Sequence, residues 1–88
     1  MRNIISSPAF DAAVELLGGY RAIDAAMAPV IEALASNPYG FPLFESDQFS
    51  FRWLITHEIA WVPPLVIVFR IDEDKNVILE HVEEAPDA

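Results

Sequence analysis

LVIVFRIDEDKNVILE, residues 65–80, places two apolar runs on either side of a short polar segment. Residues 65–71 are β-branched and aromatic without interruption, the pattern of a strand buried within a sheet. Residues 72–76 (DEDKN) form a polar turn, and residues 77–83 form a last strand. A turn of that length sets Ile71 opposite Val77, Phe69 opposite Leu79 and Ile67 opposite His81. The face holding Leu65, Ile67, Phe69 and Ile71 reads as core. The other face then carries Val66, Val68, Arg70, Ile78, Glu80 and Val82.

Moving towards the N-terminus, the connection HEIAWVPP (57–64) closes on two prolines. Before it, Phe49, Phe51, Trp53 and Ile55 alternate with Ser50, Arg52, Leu54 and Thr56, which is the period of a strand. The aromatic set is expected to face the core, which puts Arg52 on the outer face beside Arg70. PYGFP (38–42) reads as a loop, with Tyr39 and Phe41 expected to plug one end of a helical hairpin. Two helices precede it. Ser7 suits an N-cap and Pro8 the first helical position, so one helix spans 7–18 and stops at Gly18-Gly19. A second covers 20–36, with Ile23, Met27, Val30, Ile31 and Leu34 as its apolar stripe, a bend expected at Pro29 and a stop at Asn37-Pro38. Residues 2–6 are β-compatible. The order is β-α-α-β-β-β, an α+β fold with a helical hairpin packed on one face of a mainly antiparallel sheet. Phe10, Leu17, Ile23, Leu34, Phe51, Trp53, Ile67 and Phe69 make up the expected core.

The chain has 88 residues, 53% of them hydrophobic, enough for one domain (1–88, with 84–88 read as a frayed tail) and one core. It has no cysteine, which excludes disulfides, thiolate metal sites and a thiol nucleophile. The N-terminal MRNIISSPAF lacks the long apolar stretch of a signal peptide, and no run is long enough to span a bilayer. These features point to a cytoplasmic protein. Net charge is −9, and residues 45–88 hold ten acids against Arg52, Arg70 and Lys75. Such a field repels phosphate backbones, so nucleic acid is a poor ligand and a basic protein surface a better one.

Three segments together resemble the RelE/ParE toxin superfamily: IISSPAFDAAVELL, IDAAMAPVIEALASNPYGFPLF and LVIVFRIDEDKNVIL. In order and spacing they are similar to that family's first strand and helix start, its second helix and glycine-containing loop, and its central strand, turn and last strand. The resemblance implies a β-α-α-β-β-β domain, a ribosome-dependent mRNA-cleaving or gyrase-directed toxin, and a cognate antitoxin as protein partner. The departures point away from catalysis. Family ribonucleases are basic and commonly place an arginine at the start of the central strand, where this chain has Pro64, Leu65 and Val66. They often carry basic or His-Tyr residues after the last strand, where this chain has Glu83, Glu84, Ala85 and Pro86.

The candidate sites follow from the same register. RNA cleavage needs a base, an acid and cations around the crowded phosphate. Arg52 and Arg70 are the catalytic candidates if the chain is active, with His57 or His81 to move a proton, although both histidines read more readily as structural. His57-Glu58 does not suit a metal, because adjacent strand residues point to opposite faces. Asp72, Glu73 and Asp74 lack the glycine and distal glutamate of a calcium loop, and Ser6 and Ser7 lack a nucleophile elbow. No metal and no cofactor are expected. Phe49, Phe51, Trp53 and Trp61 could stack bases, but the surrounding acids favour a core reading. Arg52, Arg70, Glu80, Val66 and Val68 therefore form either an ordinary sheet surface with an ion pair or a partner-binding face. The favoured reading is a non-catalytic or degenerate RelE/ParE-like protein that binds another protein, with a possible homo-oligomer. An active antitoxin-neutralised toxin and a small adaptor subunit are the alternatives.

Overall fold

Ser7 begins the first helix as its sequence predicts: its backbone is extended and its Oγ accepts the Phe10 N–H at 3.1 Å. With Pro8 supplying the first helical residue, α1 runs Pro8–Leu16. Gly18 and Gly19 end it at φ of 104° and 93°, a backbone that side-chain-bearing residues resist. Helix α2 runs Tyr20–Ser36 without a break, with Pro29 inside it. The computed structural model describes residues 3–45 and 50–86. Phe49, one of the alternating set expected to face the core, lies outside them.

The strands are β1 (Ile4–Ser6), β2 (Leu43–Glu45), β3 (Ser50–Ile55), β4 (Leu65–Ile71) and β5 (Val77–Glu84). They form one sheet in the order β1-β5-β4-β3-β2, parallel at β1–β5 and antiparallel elsewhere. The α+β architecture is the expected one, extended by the short edge strand β2. The helical hairpin covers one face. Phe10, Val14, Ile23 and Leu34 from the helices close on Ile67, Phe69, Val77 and Val82 from the sheet. Burying each such side chain is worth about 1.5–3 kcal/mol. Phe41 joins them, edge-on to Phe69 at 5.9 Å between ring centres. Tyr39, its expected companion in the plug, is exposed.

The 72–76 turn closes as read. Asp72 Oδ1 accepts the N–H groups of Asp74 and Asn76, and Asp72 N–H donates to the Asn76 carbonyl. Ile71 faces Val77 and Phe69 faces Leu79. Beyond Leu79 the register departs from the expectation. A bulge between Val68 and Phe69 pairs Val68 with His81 and Ile67 with Val82, leaving Glu80 as the extra residue. His81 is thereby turned out and Val82 turned in, the reverse of the simple alternation. β5 also runs to Glu84, and the Ala85 N–H bonds the Pro64 carbonyl at 2.8 Å, so the strand holds where a fray is expected.

The larger correction is in β3. Arg52 pairs with Phe69 and Leu54 with Ile67, which puts Arg52 and Leu54 on the helix side. Leu54 is buried, whereas Ile55 is 52% exposed. Phe51, Trp53 and Ile55 thus lie on the face away from the helices, and Arg52 and Arg70 point to opposite sides of the sheet. The physical reason is that the polar members of the inward set are satisfied there. Arg52 Nη1 donates to the carbonyls of Phe41 (2.8 Å) and Tyr39 (3.2 Å), and its guanidinium lies 5.6 Å from the Tyr39 ring centre. Buried Thr56 accepts the Leu65 N–H through Oγ1 at 2.8 Å. Polar groups with partners can face a core.

Candidate partner-binding face

The sheet face opposite the helices is covered by no other element among the described residues. Three rows of side chains cross it. Ile5, Ile78 and Arg70 form the first, His81, Val68 and Trp53 the second, and Glu83, Val66 and Ile55 the third, as the pairings of β1, β5, β4 and β3 require. Phe51 precedes Trp53 by two residues and shares its side. The centre is therefore apolar and aromatic, with charge on its β5 side, from β5 itself and from Arg70 of β4.

That side is arranged in pairs. Arg70 Nε lies 3.7 Å from Glu80 Oε2, both side chains partly buried. The bulge puts Glu80 within reach of Arg70, so the expected proximity holds. His81 Nε2 lies 3.5 Å from Glu83 Oε1 in an exposed pair. Of the five residues read as the partner face, Arg70, Glu80, Val66 and Val68 come together here; Arg52 does not, since it braces the 39–41 loop from the other side. Trp53 and Phe51 take its place. The signal for them was the choice between two alternating sets: bulk suggested core, but only the set with Arg52 and Thr56 had loop carbonyls and a strand-end N–H to satisfy.

His57 and Glu58 are both exposed and stand apart from both arginines at the mouth of a second feature. This is an open groove of about 540 Å³ between α2 and the segment following β3, floored by Ala26, Pro29, Val30, Ala33, Phe41 and Leu54. Beyond it, Ile59 and Val62 exchange two backbone hydrogen bonds, of 3.1 and 2.8 Å, around the two-residue turn Ala60-Trp61. Ala60 and Trp61 have φ of 48° and 72°. Such a turn favours Asn-Gly, and a left-handed backbone costs other residues about 1–2 kcal/mol each. Trp61 is 97% exposed. The sequence placed Trp61 only among candidate base-stacking aromatics; the legible sign was its position one residue before Val62-Pro63-Pro64, between two apolar residues at hairpin spacing.

Among the described residues, no three His, Asp or Glu side chains come together as metal ligands, and no helix is long and apolar enough to cross a membrane. Compared with protein-family models, with curated proteins and with solved structures, the chain matches none.

Proposed function

We propose that this chain is a cytoplasmic, RelE/ParE-like protein-binding domain of the toxin–antitoxin type, acting without catalysis through the open face of its sheet. The observation that carries the reading is the composition of that face: Trp53, Val66, Val68 and Ile78 around the Arg70–Glu80 pair. Aromatic side chains and arginine amid apolar neighbours are what protein interfaces concentrate at their centres. The net charge of −9 selects a partner segment that brings cationic as well as apolar side chains. Separation of Arg52 from Arg70 supports the non-catalytic side of the reading, because phosphate cleavage needs cations converging on one point.

The test is expression of the wild type and of Trp53→Ser and Arg70→Ala variants in cells. Growth and mRNA integrity are followed, and the bound partner is recovered, identified and mapped by cross-linking. The expected outcome is normal growth, intact mRNA and a basic partner cross-linked beside Trp53 and Val68. Its retention should drop at least tenfold in the Trp53 variant and weaken as salt is raised. Growth arrest with cleaved mRNA in the wild type would establish the active-toxin alternative instead. Cross-links confined to the helix side would remove the proposed face.

A further inference from the structure

The open sheet face leaves two features unexplained, and they adjoin each other. One is the turn that holds Trp61 out at 97% exposure on a backbone strained at two successive residues. The other is the apolar groove of about 540 Å³ beside α2. Glu58 and Ile59 line both the groove and the hollow beneath the turn, so knob and hole share a wall. Trp61 does not fill the groove of its own chain, since a two-residue turn carries it outward.

We infer that two copies of this chain dock by reciprocal insertion, the Trp61 indole of each entering the Ala26–Pro29–Val30–Ala33 groove of the other. A two-fold contact is self-complementary, so the surface given and the surface taken belong to one patch, and here Glu58 and Ile59 join them. The volume lies in the range of sites that enclose a small ring system. Strain retained at two residues is accounted for when the turn's role is to present a side chain. Each indole buries roughly 150–250 Å². With the matching groove walls, two insertions cover roughly 600–1,000 Å², below the standard interface size, so the dimer is weak and concentration-dependent. Each copy carries −9 and Glu58 stands near the axis, so the copies repel until salt screens them. Salt therefore tightens this contact, whereas it loosens attachment of a basic partner.

Sedimentation over a concentration series tests the inference on the full chain. The wild type is expected to be a reversible dimer whose dissociation constant falls as salt rises. Trp61→Ala and Ala33→Phe each weaken it at least tenfold. Both positions are exposed, so circular dichroism and thermal unfolding should show each variant folded. The deciding measurement mixes the two variants. Trp61→Ala keeps its groove and Ala33→Phe keeps its indole, so the mixture regains one of two insertions and associates more tightly than either variant alone. A wild type that stays monomeric throughout overturns the inference. So does a mixture no better than its components. Phosphatidylcholine vesicles form the last arm: a blue shift in fluorescence that Trp61→Ala abolishes, seen where the protein sediments as a monomer, would assign the turn to a lipid surface and refute the dimer.

Discussion

Arg52 and Arg70 have the same side chain and adjacent strands, yet their roles diverge. One guanidinium nitrogen of Arg52 holds two loop carbonyls, so Arg52→Ala should lower stability by about 1–3 kcal/mol, read as a shift in urea midpoint. The Arg70 pair is partly solvated, so Arg70→Ala should lower stability by less than about 1 kcal/mol and act on binding instead. Equal losses from the two would mean that the β3 register is wrong. Tyr20 makes a second residue-scale case. Partial desolvation of an otherwise exposed ring, and then its hydrogen bond to Asp11, raises the phenol above its ordinary 10.0. The protonated phenol is thus favoured by folding. Its contribution is whole below pH 10.0 and disappears as pH rises through the folded-state value. Tyr20→Phe should flatten the alkaline fall in the urea midpoint while leaving the neutral-pH slope unchanged.

At the scale of elements, the turn at Ala60-Trp61 sets stability against association. Replacing the pair by Asn-Gly suits the left-handed backbone and should raise stability by roughly 1–2 kcal/mol while abolishing the dimer. A destabilised variant would show that the turn contributes packing. The strands divide similarly: Phe69→Ala, from the filled core, should cost about 3–5 kcal/mol, and Trp53→Ala, from the open face, clearly less. These contrasts mark how far the sequence could be read. The capped helices, the 72–76 turn and the first half of the β4–β5 register follow from local chemistry, since Ser7, Gly18-Gly19 and Asp72 act on neighbours in the chain. The side chosen by β3 depends on where the 39–41 carbonyls lie, and the Glu80 bulge on a break in pairing without a glycine to announce it. Both are tertiary facts. So the Arg70–Glu80 part of the binding face was legible, and the Trp53 part was not.

For the molecule as a whole, the acid excess predicts that the isolated protein does not hold RNA at physiological salt. Submicromolar, salt-sensitive retention in a filter-binding assay would contradict the non-catalytic reading at its root. The sheet order carries a different consequence. β1 lies parallel to β5 in register from Ile4–Val77 to Ser6–Leu79, and the Asn3 N–H meets Asn76 Oδ1 across 73 residues of sequence. An antiparallel meander can zip up locally, from the 72–76 turn outward, but this pairing joins the earliest strand to the latest. Loop-closure entropy must be met before it returns any free energy, and contacts so distant in sequence slow folding. During synthesis β1 emerges first and waits for its neighbour until residues 77–79 leave the ribosome. Until then Phe10 and Val14 of α1 have no β5 to cover, so a chain halted before Val77 keeps that apolar helix face in water.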